Sequence, residues 1–225
     1  AGRAGRTGSG VAIRLWHEGQ TRALPPFDPP EIERTDLRRF VIDAAQWGVR
    51  DAAALPLLDP PPAAALKQAR ESLVQLGALN NEGDLTPKGM QIARIALPVP
   101  LAAMLAAATS KPDAEFRARL ALAIVDLAPT SRELDVELIM RDLAGGRFGK
   151  RGKALLQRAE KLANMLSLPA GEHQIQTAGQ VLLDAFPDRV AMRREGQFGS
   201  YLMANGRGVR VGEEQRLAGE KFLVI

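Results

Sequence analysis

Proline falls in clusters in this chain, and the clusters decide where regular structure can run. Pro25, Pro26, Pro29 and Pro30 lie within residues 23–31, and Pro60-Pro61-Pro62 follow Asp59. Proline has no amide proton to share and its φ is locked, so neither stretch fits inside a helix or a central strand. Pro98 and Pro100 break the chain a third time, and Pro187 a fourth. A length of 225 residues allows one large domain or two to three small ones. The breaks favour small units joined by linkers.

Between the breaks alanine dominates and aromatics make up only 4% of residues, within an apolar share of 46% and a charged share of 25%. That composition favours helices packed through small residues over a sandwich or barrel. With no cysteine, a disulfide scaffold, a thiolate zinc site and a cysteine nucleophile are excluded. No second histidine stands at metal spacing from His17, and no metal site is expected. No apolar run approaches the roughly 18 residues of a membrane helix, and no signal-peptide pattern opens the chain. The sequence reads as a cytoplasmic protein without a membrane partner. A net charge of +4 permits a polyanionic partner without demanding one.

The pattern predicts elements in each segment. Val11 to Trp16 alternates as a short strand. Asp36 caps a helix running to about Trp47, with Leu37, Phe40, Val41 and Ala44 on one stripe and Gly48 as its stop. After Pro62 a second helix carries Leu66, Ala69, Leu73 and Leu76 on one face and ends at Gly77. A short hairpin turns at residues 80–84, and Thr86-Pro87 starts a third helix. Helix, helix, hairpin, helix is the layout of a winged-helix unit, here residues 31–97. Residues 98–186 read as a five-helix bundle, with one stripe of Leu101, Met104, Leu105 and Ala108, a second of Phe116, Leu120, Ile124 and Leu127, and then helices near 133–144, 150–166 and 173–186. From residue 187 to 225, short runs at 189–192, 200–203, 208–211 and 222–225 read as strands of a small β region.

Both ends suggest a piece of a larger protein. Phe222 to Ile225 reads as a buried strand with nothing after it to pair with, and Ala1 falls inside the run Gly2-Arg3-Ala4-Gly5-Arg6. Glycine–arginine repeats are common in disordered RNA-binding tails. The alternative is a phosphate contact: guanidinium forks can take two phosphate oxygens, and glycine lets backbone approach closely. The strand-like Val11–Leu15 directly after the run favours the second reading.

The whole stretch from Ala1 to Leu15 resembles motif VI of the DEAH/DExH-box helicases and the strand after it. Leu57-Leu58-Asp59-Pro60-Pro61-Pro62, Leu76-Gly77-Ala78-Leu79 and Leu85-Thr86-Pro87-Lys88-Gly89 are similar to winged-helix landmarks there. Leu182 to Ala191 and Leu202 to Gly208 look most like the bacterial HrpB branch. The resemblance implies a mainly α fold. Residues 1–30 would be the end of a second RecA-like domain and a linker, and 31–97 the winged helix. Residues 98–186 would be the helical ratchet (HA2-like) bundle, and 187–225 the truncated start of an OB-like β domain. It also implies that Arg3 and Arg6 reach the phosphates of a bound nucleotide as arginine fingers, with Gly2 and Gly5 as spacers, once a missing domain is present. ATP and Mg²⁺ would then be cofactors of the parent helicase. This chain has no G-x-x-x-x-G-K-[ST] run and should by itself bind neither and hydrolyse nothing.

Residues 147–161 carry Arg147, Lys150, Arg151, Lys153, Arg158 and Lys161 against Glu160 alone. Lys150, Arg151 and Arg158, with Arg193 and Arg194 in the β region, are candidate contacts to a phosphate backbone, or else a solvated basic face. His17 and His173 read as surface or packing residues, Trp47 and the methionines as core, and Tyr201 as packing rather than base stacking. Two functions from different classes compete with a third. The first is the accessory part of an ATP-driven helicase, acting on single-stranded RNA or DNA together with the rest of its chain. The second is a stand-alone winged-helix nucleic-acid-binding module, for which Lys67, Arg70, Lys88 and Arg94 are a thin basic surface. The third is a protein-interaction scaffold.

Overall fold

A computed structural model describes residues 4–24, 27–171 and 177–225. Two compact units are present, Ala1–Thr35 and Asp36–Ile225. In the first, the expected strand at Val11–Trp16 is not formed, and Val11, Ile13 and Leu15 are 85%, 82% and 92% exposed. Alternation alone does not make a strand when no neighbouring strand completes its ladder. A single turn, α1 (Glu18–Thr21), follows. His17 caps it: Nδ1 accepts from the Gly19 amide at 3.1 Å, and the Gln20 side chain accepts from the His17 amide at 3.2 Å. His17 is exposed, as its surface reading expects, and its side chain serves as a local cap.

The second unit opens with α2 (Arg38–Gln46), which buries Leu37, Val41 and Ala44 of the expected stripe, and also Ile42. Gly48 ends it at φ +81°, a left-handed position that favours glycine. Trp47 is 86% exposed, so it is not the core residue expected. As the first residue after the helix its side chain leaves the buried stripe. Helix α3 (Ala63–Gln75) starts after the proline run and buries Ala69, Leu73 and Leu76. Leu79 and Leu85 bridge antiparallel across the short hairpin. Thr86 then caps α4 (Pro87–Arg94), its hydroxyl oxygen accepting from the Gly89 amide at 2.9 Å with Pro87 in the first turn.

Gly89 sits where α4 crosses the hairpin. A Cβ there would collide with the Ala78 carbonyl oxygen and come within 2.9 Å of Leu85 Cδ2. Gly89→Ala gains about 1 kcal/mol of helix propensity and costs about 3 kcal/mol of overpacking. The expected net loss of ~2 kcal/mol lowers the thermal midpoint by about 4–8 °C, measured by calorimetry; an unchanged midpoint would show that α4 can back away.

The bundle contains α5 (Val99–Ala106), α6 (Lys111–Leu122), α7 (Val136–Ala144), α8 (Gly149–Asn164) and α9 (Ala178–Leu182). Helix α5 is buried from Val99 to Leu105 and packs on α4 and α6; α8 lies against α6. At Ala123–Leu127 the helix widens into a π-turn, then tightens to a 3₁₀ turn at Ala128–Thr130. This shifts the register that the Phe116–Leu120–Ile124–Leu127 stripe assumed: Leu120 and Leu127 are buried, while Phe116 and Ile124 are half-buried. Within the described part of the helix expected over 173–186, α9 forms, capped by Thr177. His173 lies outside the described residues. No single helix among the described residues is long and apolar enough to cross a membrane.

The β region is a four-stranded antiparallel sheet in the order β3 (Gly208–Arg210), β2 (Ser200–Met203), β1 (Val190–Arg193), β4 (Phe222–Val224). The last strand therefore has a partner inside the chain, contrary to expectation: Ala191 stands opposite Leu223. Ala191, Tyr201 and Met203 form the core of one face with Val209, Val211 and Leu223 around them. The buried Tyr201 hydroxyl donates toward the carbonyls of Leu217 at 2.7 Å and Glu220 at 2.9 Å, and burial pushes its pKa above the usual value. Tyr201 is a packing residue, closed to base stacking. Of the methionines read as core, Met104 and Met203 are buried, whereas Met90, Met165 and Met192 are about half exposed.

Candidate nucleic-acid interface

The basic run on α8 divides once its buried face is known. Gly152, Leu155, Ala159 and Ala163 point inward. At about 100° per residue, Lys150, Lys153 and Lys161 share an arc of roughly 80° on the opposite side. All three are exposed, and no ion pair holds them among the described residues. Three ammonium groups in a row on one helix face suit a phosphate backbone, which needs charge without fixed geometry.

Arg151 and Arg158 lie on the flank between these faces and turn to the π-turn. Arg158 Nη1 pairs with Asp126 Oδ2 at 2.6 Å, and Arg151 donates to the Asp126 carbonyl and, at 3.4 Å, to Thr130 Oγ1. Arg151 thus supplies a donor to a carbonyl of the π-turn, while Arg158 neutralises the carboxylate on the same residue. Both residues are therefore structural ties first. Arg147 pairs with Asp142 at 2.8 Å.

A second basic patch lies at the β1–β2 turn. Arg193, Arg194 and Lys221 line a surface groove of about 560 Å³ with Phe198, whose ring is half exposed. Arg193 Nη1 donates to the Gly219 carbonyl at 2.7 Å, which fixes its guanidinium on this side of the sheet. Lys221 joins it because the Arg193 amide donates to the Lys221 carbonyl at 3.0 Å. Neither Lys221 nor Phe198 stood out in the sequence, since only the β1–β4 register brings Lys221 beside Arg193. A cationic groove edged by an aromatic face is the combination that holds single-stranded nucleic acid.

The winged helix offers less. Arg70 is spent on the Asn81 carbonyl at 2.9 Å, and Lys67 lies 4.0 Å from Glu71. Of the proposed nucleotide-contacting run, Gly2 and Arg3 lie outside the described residues. Gly5 adopts φ +82°, and Arg6 beyond it is exposed, with no ion pair among the described residues. No group of three or more potential metal ligands occurs among the described residues.

Residues 69–99 match the family described as "Helicase associated domain (HA2), winged-helix". The chain is 33% identical over 224 residues to the ATP-dependent RNA helicase HrpB of Escherichia coli (strain K12), covering 100% of this chain and 26% of that protein. It is 39% identical over 104 residues to the probable ATP-dependent RNA helicase DHX34 of Homo sapiens, covering 46% of this chain and 9% of that protein. A crystal structure of the E. coli DExH-box NTPase HrpB superposes with a TM-score of 0.78 at 31% identity, covering 99% of this chain and 26% of the solved one. The chain thus spans about a quarter of the length of its full-length match.

Proposed function

Along its whole length the chain resembles a quarter of the HrpB-type DEAH/DExH-box helicases, and from this premise we propose that it is the accessory part of an ATP-driven RNA helicase. In this reading the winged helix and bundle carry motion from a nucleotide site to a single strand of RNA. The strand runs over the lysine face of α8 and the groove of Arg193, Arg194, Lys221 and Phe198. The observation that carries the reading is the row of Lys150, Lys153 and Lys161, without an ion pair among the described residues, on a helix whose two neighbouring arginines are engaged.

Arg3 and Arg6 belong to the nucleotide side. The residues present fit one wall of such a site. Arg6 is an exposed, permanently charged fork on a glycine-bearing turn, suited to a phosphate oxygen, while no phosphate-cradling loop occurs in the sequence. The chain's own contribution there is positive charge beside transferring phosphate, where a bound nucleotide with its metal supplies the bond to be broken. Purified alone, the chain is expected to turn over no ATP.

The test is binding to single-stranded RNA as a function of salt. Each lost phosphate contact on a single strand reduces the slope of log K against log salt by about 0.7, so replacing all three lysines by glutamine should flatten it by about 2. Affinity should fall alike for every sequence. An unchanged slope in the triple variant removes the α8 face from the path. A preference for duplex over single strand would favour the stand-alone winged-helix reading.

A further inference from the structure

Between the bundle and the sheet lies a cleft of about 550 Å³, on no route that the strand-binding reading uses. Its apolar floor comes from Leu182 and Leu183 at the end of α9, Leu217, and Phe222 and Val224 of β4. Leu183 and Phe222 remain about half exposed there, beside Leu134. Among the described residues strand β4 has one strand neighbour, β1. An apolar floor beside a sheet edge is the setting in which an extended peptide adds to a fold.

The polar rim says which peptide. Asp135, Glu137, Glu220 and Arg216 all line the cleft. Arg216 binds Asp135 through Nε at 3.1 Å and through a second, shorter contact from Nη2, and Asp135 is buried. The Asp135 carboxylate holds the Arg216 pKa above its ordinary value, with Glu137 and Glu220 adding to the same field. One guanidinium thus faces three carboxylates, and pairing with Asp135 leaves Glu137 and Glu220 in excess. Both are exposed. A nucleic-acid backbone would meet repulsion here, whereas a lysine or arginine side chain would meet two uncompensated acids.

We propose that this cleft is the docking site of a partner protein's extended segment, one that presents apolar side chains to the Leu183–Leu217–Phe222 floor and a basic residue to Glu137 and Glu220. Charge complementarity excludes acidic segments and RNA. The interaction is separable from the lysine face of α8, which attracts the opposite charge.

Two synthetic nine-residue peptides with the same leucine, valine and phenylalanine positions test it, one carrying three lysines and the other three glutamates. Fluorescence anisotropy with the chain should give at least tenfold tighter binding of the lysine peptide, and amide shifts in NMR should cluster at Leu183, Leu217 and Val224. Glu137→Gln with Glu220→Gln should weaken the lysine peptide by about tenfold. The amide oxygen at position 137 can still accept from the Ala178 amide, now at 3.1 Å. Leu183→Lys, at a half-exposed position, gives a second route to the same loss should the double variant fold poorly. Equal binding of the two peptides, indifference to both variants, or shifts centred elsewhere would overturn the proposal. So would loss of binding in a longer polypeptide containing this chain, which would assign the cleft to a segment of the same molecule.

Discussion

Arg117→Leu is expected to destabilise the second unit by about 3–5 kcal/mol, the range for stripping one partner from a buried ion pair. Arg117 is 5% exposed and Asp113 is 7% exposed. The guanidinium joins three elements: Nε to Asp113 Oδ1 at 2.8 Å within α6, Nη1 to the Met104 carbonyl of α5 at 2.9 Å, and Nη1 to Asp184 Oδ2 at 2.5 Å just beyond α9. Without it, Asp113 keeps its contact from the Thr109 amide at 3.1 Å but loses the counter-charge that offset its burial. Most of the loss belongs to that stranded carboxylate and not to the attraction itself. The double variant Arg117→Leu with Asp113→Leu should therefore be more stable than Arg117→Leu alone, recovering at least half of the deficit. Urea unfolding of the three proteins checks this. A single variant within 1 kcal/mol of the parent would mean that water or a neighbour takes over the role. A double variant no better than the single would assign the cost to lost packing of the Arg117 stem.

The fold was readable where a residue's local chemistry is sufficient by itself. Proline and glycine ended elements at the expected places, Thr86-Pro87 opened α4 as its capping chemistry dictates, and the four short β runs formed strands within a residue or two. It was not readable where a partner distant in sequence decides. Val11–Trp16 alternates as a strand does, yet hydrogen bonding between strands makes a strand, and this segment stands exposed. The terminal strand erred in the opposite sense. Its neighbour in space is β1, some thirty residues earlier, and nothing in Phe222–Ile225 announces that pairing.

The candidate site divided along the same line. That a helix runs over roughly 150–166 with a basic entry was plain from composition and period. That Arg151 and Arg158 are engaged, while Lys150, Lys153 and Lys161 have no ion pair among the described residues, depends on the π-turn at Ala123–Leu127, which places Asp126 within reach. Helical phase could have separated the two sets, because Gly152, Leu155, Ala159 and Ala163 mark the inner face. Phase alone does not find Asp126, because a π-turn has no reliable signature in single-sequence periodicity. The groove at Arg193 and Arg194 was half visible, and its other half, Lys221 and Phe198, followed from strand register.

In a longer polypeptide that includes the ATP-binding half of such a helicase, Arg6→Ala is expected to slow RNA-stimulated ATP hydrolysis by about 10³-fold, the lower end of what an arginine finger contributes. A guanidinium that meets charge developing on a transferring phosphoryl group acts in the transition state, so kcat should fall while the affinity for nucleotide changes little. Arg6→Lys retains the charge but not the planar fork, and should recover only part of the rate. Arg3→Ala should behave like Arg6→Ala, and the pair together should cost less than the sum of the two, because both would act on one developing charge. Steady-state ATPase assays with a parallel nucleotide-binding measurement distinguish the cases. Loss of binding with an unchanged rate at saturation would make Arg6 a ground-state contact. An unchanged rate and an unchanged affinity would return the glycine–arginine run to the alternative reading, a basic tail that contacts RNA, and salt-dependent RNA binding would then be the property that Arg3 and Arg6 support.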